Sequence, residues 1–531
     1  VHTANNMIHH TNFAVFWHKK YEAFLKIKLT MFHRRDLLKF LLFGTCCPTT
    51  HAEENPKWDL TVDAIVVGSG AAGLAAAATL AEGGLSVLML EKMNSLGGNT
   101  VISGGDVAVP GSPVQLKMGI KDSPQMMAED LIRAGKTVDK ERVRFLAQNA
   151  LSTWKWTQEK WGTRWNPDKL QFDEGQSVPR GLLSIPRSGF ALFSSGIEYA
   201  RNLNVQIRNN SLVEDIFFGP NGEAQGLLVR TRYKFPDPAS GTQIKIRARR
   251  AIVLCFGGFG ADEEFREMVN PSMGKLLATT NQPGATAESI RMAMRLGIKT
   301  VDLDQIQALS WISADEIGLG DAWPFIEQYS AFYGIWVNNK GKRFVNERGS
   351  QRLRSERLLE EIKNGHRIFG ITTQNAIEHQ PDDLQATEEL KLRGIIRSFP
   401  SLEALAVNSS ISYTELVKTV EKYNTCVNNA VIDEFQRNLS NTFPLNGTNW
   451  FVVEIRPKVH HCMGGIKTTL SMQVLNNKNQ IIPNLYAAGE ATGGIFGRSR
   501  IPCHSLIDAL VGGRAAGLHI LENTHSKNEN D

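Results

Sequence analysis

Residues 64–73 of this 531-residue chain read Ala-Ile-Val-Val-Gly-Ser-Gly-Ala-Ala-Gly, and they carry its strongest structural signal. The apolar run 64–67 predicts a strand that is buried on both faces of a parallel sheet. Gly68 then permits a tight turn, Gly70 lets a pyrophosphate approach the backbone, and Gly73 lets the following helix pack closely on the strand. The pattern predicts a unit that binds a dinucleotide.

The residues that follow complete this unit. An Ala- and Leu-rich helix is predicted to reach about Glu82, and its first turn at Ala71 and Ala72 presents N–H groups and a positive dipole end to the phosphates. A second strand at 85–90 ends in Glu91, 18 residues past the last glycine. This is close to the spacing of about 20 for an acid that accepts the ribose hydroxyls.

Length and composition limit the possibilities further. At roughly 100–200 residues per domain, the chain should hold two to four domains. Its 42% apolar and 21% charged residues are ordinary globular values, which excludes a disordered, collagen-like or coiled-coil protein. The net charge of +5 comes from residues 1–52, which leaves 52 basic and 52 acidic side chains in the rest. A neutral body argues against nucleic acid as a partner.

The first 52 residues are predicted to be a leader that takes no part in the fold. His33-Arg34-Arg35-Asp36-Leu37-Leu38-Lys39, followed by an apolar run at 40–43, resembles a twin-arginine export signal. Met31 would open a leader of ordinary length, and removal near Ala52 is expected because the apolar run is too short to span a bilayer. This predicts a periplasmic bacterial protein, exported folded and without stable membrane insertion. A basic, partly helical arm is the alternative interpretation.

Any redox chemistry must rest on a bound organic cofactor. Cys255, Cys426, Cys462 and Cys503 are widely spaced, with no C-x-x-C pair for zinc or an iron–sulfur cluster and no C-x-x-C-H for covalent haem. No metal site is predicted, and electrons must be supplied from outside.

Two further glycine-rich segments favour FAD over NAD. Gly97-Gly98-Asn99-Thr100 and Ser103-Gly104-Gly105 form a loop where a longer, bent dinucleotide would need backbone contacts. Near the other end of the chain, 484–488 predicts a strand that runs into Gly489-Glu490 and then Gly493-Gly494.

The order of these motifs resembles the fumarate reductase/succinate dehydrogenase flavoprotein superfamily. The matching segments are 68–73, Glu91, GGNT at 97–100, IVLCFGGFG at 252–260, GKRFVNE at 341–347, HHCMGG at 460–465 and LYAAGEATGG at 485–494. The chain is similar to the soluble exported branch, the periplasmic fumarate, urocanate and methacrylate reductases, with 3-ketosteroid dehydrogenases more distant. The resemblance implies a doubly wound, Rossmann-like α/β domain that binds FAD and is interrupted by an α+β capping domain. The FAD domain would span 53–302 and 460–531, and the cap 303–459.

The resemblance also implies how FAD is held. Attachment should be noncovalent, because the loop at 97–105 lacks the His that bonds to flavin in covalent relatives. A helix N-terminus at Ser505 and Leu506 would stabilise reduced flavin through its dipole. The implied FAD contacts are Gly68, Gly70, Ala71, Ala72, Gly73, Glu91, Lys92, Gly98, Asn99, Thr100, Ser103, Gly104, Gly105, Val213, Gly257, Gly489, Glu490, Ser505 and Leu506.

In this family a hydride passes from flavin N5 to the carbon beta to a carboxylate, and a proton reaches the alpha carbon. Arg500, in GRSRI at 497–501, matches the carboxylate-clamping Arg, whose planar fork can hold a carboxylate with two bonds. His460 and His461 match the His-x-x-M-G-G element, in which one His contacts the substrate. A structural salt bridge for Arg500 and backbone capping for the two His residues are the alternatives.

Two departures from the family pattern bear on the substrate. Relatives that reduce fumarate carry Gln-x-His-Pro at the start of the cap, where this chain reads Gln-Ala-Leu-Ser at 307–310. The missing His argues against fumarate. The segment 311–318 resembles the urocanate-type branch, so that Trp311 and Asp315 would line an imidazole pocket, or else form an ordinary loop with a core Trp.

The second departure concerns the proton donor. Relatives place an Arg four residues beyond Glu347, and this chain has Gln351 there. Arg348, Arg352 and Arg354 are close, and a one-residue shift would bring Arg352 into place. Glu288, in a loop beside the flavin, is expected to order that loop without a catalytic role.

The sequence therefore predicts an exported FAD enzyme that reduces the C=C bond of a small unsaturated carboxylate. Its electrons would come from a separate donor, expected to be a multihaem c-type cytochrome, in a transient contact. One alternative is a dehydrogenase that acts beside a carbonyl, as in 3-ketosteroid enzymes, with Tyr329 or Tyr333 as its base. The other is a flavin-binding module for electron transfer without turnover of an enoate.

Overall fold

The computed structural model describes residues 56–379 and 384–528, so the leader predicted at 1–52 lies outside the described residues. The first strand of the described chain lies in a parallel sheet, as expected. Strand Leu60–Val67 pairs in parallel with Val87–Leu90 on one side and Thr242–Leu254 on the other, with Ile65 opposite Leu88 and Ile252. These strand residues are buried on both faces, as the continuous apolar run at 64–67 predicts.

This sheet has eight strands drawn from both ends of the described chain. Their path is Gln473–Leu475, Ile481–Ala487, Thr242–Leu254, Leu60–Val67, Val87–Leu90 and Gln206–Arg208, with Ser211–Phe218 and Ala224–Thr231 joined at the edge of Thr242–Leu254. Helices cover the sheet and its flanks: Ala71–Glu82, Gly98–Val101, Pro113–Lys117, Pro124–Gly135, Lys140–Trp156, Gly189–Asn202, Glu263–Val269, Glu288–Arg295 and His504–Asn528, with single turns at Thr157–Trp161, Pro271–Met273 and Gly489–Ala491.

The last helix packs directly on the first one. A Cβ at Gly513 would lie 2.1 Å from the carbonyl oxygen of Ala72, so only glycine permits this approach of helix His504–Asn528 to helix Ala71–Glu82. Chain segments more than 400 residues apart thereby meet where the glycine turn begins the first helix.

A second, antiparallel sheet lies between these two parts of the chain. Its order is Ile335–Asn338, Ile368–Thr373, Trp450–Ile455 and Ile396–Phe399. The π-helical turn Phe325–Ala331 precedes it, and its helices are Gln351–Lys363, Gln374–His379, Leu384–Leu392, Leu402–Ser409 and Tyr413–Asn428. The small sheets elsewhere pair Ile306–Leu309 with Lys458–Cys462, Thr300–Val301 with Gly465–Ile466, and the central strand Gly181–Ser184 with both Val107–Ala108 and Trp165–Gln171.

The predicted fold class, a doubly wound α/β domain interrupted by an α+β region, is confirmed. The boundaries at 302/303 and 459/460 stay predictions, and the strand pair Ile306–Leu309 and Lys458–Cys462 lies next to both of them. No helix in the described ranges combines the length and hydrophobicity that a bilayer span requires.

Candidate active site

A cleft with about 1340 Å³ of empty volume runs along the carboxyl ends of the parallel strands. Val67, Glu91, Cys255 and Ala488 line it, and each stands at or just after the end of a different strand. In open α/β sheets the ligand binds at this edge. The cleft is therefore the place where the predicted dinucleotide would lie.

Glycine backbone forms the floor of the cleft. Gly68 has a φ of +106°, and a Cβ there would lie 2.2 Å from the carbonyl oxygen of Cys255, so the turn itself excludes a side chain. At Gly70 a Cβ would come no nearer than 3.4 Å to Thr100 Oγ1, and at Gly257 it would meet nothing within 4 Å. Helix Ala71–Glu82 begins at Gly70 without a side-chain cap. Exposed backbone at a helix N-terminus suits a pyrophosphate.

Glu91 ties the glycine turn to the next loop. Its Oε2 accepts hydrogen bonds from Ser69 Oγ at 2.6 Å and Ser69 N at 3.2 Å, and its Oε1 accepts one from Met93 N at 2.9 Å. Ser69 Oγ also accepts from Gly97 N at 2.8 Å, and Thr100 Oγ1 accepts from Ala71 N at 2.9 Å. These bonds hold the two glycine-rich segments together on one wall of the cleft.

Most of the residues predicted to contact FAD line this cleft: Gly68, Gly70, Ala71, Ala72, Glu91, Lys92, Gly98, Asn99, Thr100, Ser103, Val213, Gly257, Gly489, Glu490, Ser505 and Leu506. Gly73, Gly104 and Gly105 lie beside it. A Cβ at Gly73 would be 1.9 Å from the carbonyl oxygen of Gly68, which is the packing role expected from the sequence. A Cβ at Gly105 would be 2.5 Å from Ser184 Oγ, so this glycine permits loop packing.

Sequence reasoning placed the loop with Glu288 beside the flavin but missed the residues just before it, which form part of one wall of the cleft. Thr280, Asn281 and Gln282 line the cleft. Asn99 Nδ2 donates to Asn281 Oδ1 at 2.6 Å, and Gln282 N donates to Asn99 Oδ1 at 3.0 Å. The run Thr-Asn-Gln-Pro-Gly-Ala-Thr at 280–286, polar and turn-forming, was the available signal. At its end Glu288 lies 3.2 Å from Lys92 Nζ, in keeping with its predicted loop-ordering role.

The two adjacent histidines both line the cleft but have different partners. His460 Nδ1 lies 2.7 Å from Thr280 Oγ1. His461 Nδ1 lies 3.3 Å from Glu490 Oε1, and its ring meets Phe496 edge-on at 5.7 Å. Burial and the charge of Arg500 lower the pKa of His460 to about 3, and the same causes lower the pKa of His461 well below its ordinary value. Both rings are neutral in this environment.

Arg500 is buried beside these histidines, with 4% of its surface exposed. Its Nη1 donates to the cleft residue Ser505 at 3.2 Å, while its Nε is buried without a partner. Within residues 56–379 and 384–528 no carboxylate lies within 4.0 Å of the guanidinium, so the structure does not provide the salt bridge considered as the alternative role. Burial lowers the pKa of Arg500.

The arginines that follow position 351 differ in whether their side chains are buried or exposed. Gln351 is buried and donates to the carbonyl oxygen of Ala308 at 2.8 Å, whereas Arg352 lies on the exposed face of the helix, 2.7 Å from Glu356. The predicted one-residue shift therefore does not bring Arg352 into the interior. Arg354 is the buried arginine of this turn, with 4% of its surface exposed.

Arg354 sits among aromatic and acidic groups. Its guanidinium carbon lies 4.3 Å from the Trp311 ring centroid, its Nη2 donates to Gln351 Oε1 at 3.2 Å, and Glu174 Oε2 lies 3.9 Å away. Burial lowers its pKa to about 10. Glu327, whose carboxyl faces Arg354, has its pKa raised to about 7 by burial and by the charge of Asp173.

Three other residues that the sequence suggested for the substrate pocket, Asp315, Tyr329 and Tyr333, do not line the dinucleotide cleft. Asp315 lies in a different cleft with Arg367, Arg393 and Glu454, and so does not face the dinucleotide cleft. Tyr329 is fully buried in the hydrophobic core of the cap. Tyr333 stacks on Phe443 at 5.4 Å between ring centroids. Neither tyrosine is among the residues that line the dinucleotide cleft.

Residues 63–504 match the model of the FAD binding domain family. The chain belongs to this family. Together with the similarities below, this confirms that the protein is an FAD-dependent oxidoreductase related to fumarate reductases, as the sequence motifs predicted.

Several curated proteins are similar over most of this oxidoreductase. An acrylate reductase flavoprotein subunit of Shewanella woodyi is 31% identical over 87% of this chain and 91% of its own length. A urocanate reductase of Eggerthella lenta is 32% identical over 86% of this chain and 74% of its own. A fumarate reductase (cytochrome) of Shewanella frigidimarina is 30% identical over 86% and 76%.

Solved structures share the fold. The open conformation of a flavocytochrome c3 fumarate reductase superposes with a TM-score of 0.74 at 24% identity, covering 92% of this chain and 81% of that one. A 3-ketosteroid-delta4-(5alpha)-dehydrogenase of Rhodococcus jostii superposes with a TM-score of 0.71 at 23% identity, covering 88% and 99%.

The cleft fits FAD. The open backbone at Gly70 and Gly257, the uncapped helix N-terminus and the strand-end carboxylate of Glu91 supply what a pyrophosphate and a ribose need. In the described part of the chain, no group of three or more His, Cys, Asp and Glu side chains is placed to hold a metal ion. The four body cysteines are free thiols.

Proposed function

We propose that this enzyme reduces the C=C bond of a small unsaturated carboxylate. The observation that carries the proposal is Arg500: a buried guanidinium beside the cleft, with a free Nε and no carboxylate of the described chain within 4.0 Å. Removing a cation from water is costly unless an anion pairs with it. A substrate carboxylate supplies that anion, and the names of the acrylate, urocanate and fumarate reductases support the reaction class.

FAD, when bound, supplies the electron pair of the reduction. The residues that would hold it are the glycine turn at 68–73, Glu91, the loop at 97–105 and Ser505 with Leu506. Noncovalent binding is supported by the absence of His from the loop at 97–105.

Arg500 would hold and polarise the carboxylate, which makes the conjugated double bond electron-poor at the carbon beta to it. Two parallel N–H donors of a guanidinium can engage both carboxylate oxygens. His461 borders the same space and would supply a further contact. Both groups are buried, and excluding water strengthens their electrostatic effect on the reacting bond.

We assign delivery of the proton to Arg354. Gln351 carries no ionisable proton, and Arg352 is on the exposed face. Arg354 is buried one helical turn from Gln351, and its pKa of about 10 makes it a stronger acid than an exposed arginine. Glu327, with a pKa of about 7, faces Arg354 and would restore its proton from solvent.

The start of the cap supports a substrate with one carboxylate. The Gln307 amide is committed to the backbone of Arg500: Oε1 accepts from Arg500 N at 2.8 Å and Nε2 donates to Arg500 O at 3.2 Å. Ala308 and Leu309 follow and are buried and apolar. This strand therefore offers no cation to a second carboxylate, which disfavours fumarate.

The electron donor would be a separate protein, expected to be a multihaem c-type cytochrome, since the sequence contains no C-x-x-C-H motif. Export to the periplasm is proposed from the twin-arginine-like segment at 33–39. The dehydrogenase alternative is less favoured, because neither Tyr329 nor Tyr333 lines the dinucleotide cleft.

The test is a panel of acids added anaerobically to the reduced, FAD-loaded enzyme, with reoxidation followed by flavin absorbance. Acrylate, methacrylate, crotonate and urocanate represent unsaturated monocarboxylates, fumarate the dicarboxylates, and propanoate serves as the saturated control. Reoxidation by at least one monocarboxylate, faster than by fumarate, supports the proposal. Reoxidation by none of the unsaturated acids refutes it and leaves the electron-transfer module as the better account.

A further inference from the structure

The partners of the two histidines impose different protonation requirements. The Thr280 hydroxyl, 2.7 Å from His460 Nδ1, can donate or accept a hydrogen bond, so His460 can stay neutral with either nitrogen protonated. Glu490, 3.3 Å from His461 Nδ1, only accepts when it is ionised. A neutral His461 facing ionised Glu490 must therefore keep its proton on Nδ1, which leaves Nε2 as a bare acceptor.

A bare acceptor is unsuitable for a carboxylate guest, whose oxygens also only accept. To donate from Nε2, His461 needs either a second ring proton or a protonated Glu490 that donates to Nδ1. Both arrangements add one proton to the His461–Glu490 pair. With Glu490 on one side of its ring and the guest carboxylate on the other, His461 favours the state in which the His461–Glu490 pair holds the extra proton. This is true whichever of the two residues carries that proton.

Glu490 is fixed in this position by several contacts. Its Oε1 accepts from Cys462 N at 3.0 Å, and a Cβ at Gly258 would lie 2.6 Å from the same oxygen. Burial raises the pKa of Glu490, which favours a proton on this carboxyl. Phe496 holds the His461 ring edge-on. Both members of the pair border the cleft.

The positive charge of Arg500 opposes a proton on His461 and also one on Glu490. The His460 ring, which also faces His461, is neutral. The Cys462 thiol, which faces Glu490 and Arg266, is kept neutral because burial raises its pKa well above the ordinary value. A carboxylate bound to Arg500 offsets that cation, so the obstacle to protonating the pair is removed when the guest arrives.

We propose that His461 and Glu490 form one proton-binding unit that takes up a single proton from solvent when a carboxylate binds at Arg500, with Glu490 as the positioning residue. The proposal rests on the proposed function, because it assumes that the guest is an anion at Arg500. Glu490 thereby gains a role besides its predicted contact with FAD. In the bound state Nδ1 and Oε1 share one proton and Nε2–H donates to the guest.

The experiment is calorimetric titration of the oxidised, FAD-loaded enzyme with propanoate, which has no double bond to reduce. Titrations in buffers of different ionisation enthalpy count the protons taken up. We expect about one proton per bound propanoate between pH 6 and pH 8, and tighter binding as the pH falls, as linkage requires. Glu490→Gln keeps an acceptor for Cys462 N but cannot ionise, and its uptake should fall close to zero. His461→Asn should also lose the uptake.

Two matched variants exclude other sources of the proton. His460→Asn removes the neighbouring ring, and Glu327→Gln removes a carboxyl of the cap whose pKa is raised to about 7. Both should retain the uptake. An unchanged proton count in both Glu490→Gln and His461→Asn overturns the inference while the proposed function stands. Absence of propanoate binding to the wild-type enzyme overturns both.

Discussion

Buried arginines in two regions of this molecule differ in whether the protein supplies a carboxylate to pair with them. In the cap, Glu347 accepts from Arg343 at 2.7 Å and from Arg437 at 2.8 Å, and Asp433 lies 2.8 Å from Arg343. Burial alone would raise the pKa of Glu347, but the two arginines outweigh it and lower that pKa to about 2. Each arginine of this cluster therefore has a carboxylate partner.

Arg500 has no such carboxylate within 4.0 Å in the described ranges, and its pKa is lowered by burial, whereas Glu347 and Asp433 outweigh burial and raise the pKa of Arg343. We therefore expect a structural role for the arginines of the cap and a role as anion receptor for Arg500. Removing one member of a buried ion pair is strongly destabilising, because it leaves an uncompensated buried charge.

The sharpest test of this contrast is Arg500→Met, which keeps an unbranched side chain and removes the charge. Turnover of the preferred enoate should fall about 10³-fold, the scale seen when a key charge-stabilising donor is lost. Folding stability should stay equal or rise, because a desolvated charge is removed. Stopped-flow reoxidation and urea denaturation measure the two effects. Arg357→Met, at an exposed arginine paired with Glu360, is the control and should change neither.

Glu347→Gln tests the other side of the comparison. It leaves Arg343 and Arg437 without their shared carboxylate, so the free energy of unfolding should fall by about 3–5 kcal/mol. Protein that remains folded should bind FAD with the wild-type absorbance spectrum. An unchanged denaturation midpoint would mean that the network contributes no stability.

The effect of Glu347→Gln on folding stability should depend on pH. The folded-state pKa of Glu347, about 2, lies below the ordinary value of 4.5, so the stability it contributes is present above pH 4.5 and is lost as pH falls towards 2. The stability difference between wild type and Glu347→Gln should therefore shrink over that interval.

Arg354→Met should lower kcat about 10²-fold with little change in KM, because it removes the proposed acid and spares the carboxylate clamp. Gln351→Arg in this background should restore part of the rate, because position 351 is on the same buried face of the helix. Solvent isotope effects on kcat check the assignment. A wild-type rate in Arg354→Met would exclude this residue as the proton source.

Glu288→Gln should have the smallest effect. Its partner Lys92 lies 3.2 Å away at the partly exposed rim of the cleft, and such pairs contribute about 1 kcal/mol or less. FAD affinity, measured by equilibrium titration of the apoprotein, should change by no more than that. A larger loss would show that this pair organises the cofactor loop more strongly than a surface ion pair does.

The FAD cleft could be predicted from the sequence because its constraints are local. Gly68 is dictated by the positive φ of its own tight turn, Gly73 by a backbone contact with Gly68, and Glu91 follows directly from the end of a strand. The motif at 97–100 predicted FAD contacts for Asn99 and Thr100, and both residues line the cleft. Such features repeat wherever a backbone must approach a phosphate.

The cap could not be predicted in this way, because its side chains are placed by packing. Gln351, Arg354, Ser355 and Leu358 form the buried face of helix Gln351–Lys363, and Arg352 is turned away from it. A helical spacing of three, four and seven residues from position 351 would have identified Arg354 in place of Arg352. Asp315 was misleading, because residues distant in sequence decide which cleft it faces.

The most direct measurement is a crystal structure of the FAD-loaded enzyme with an unreactive carboxylate such as propanoate. We predict that both carboxylate oxygens accept hydrogen bonds from Arg500, including one from its Nε, at about 2.7–2.9 Å. A guest carboxylate bound elsewhere, or an Arg500 guanidinium paired with a carboxylate of the protein itself, would show that Arg500 is not the receptor for the substrate.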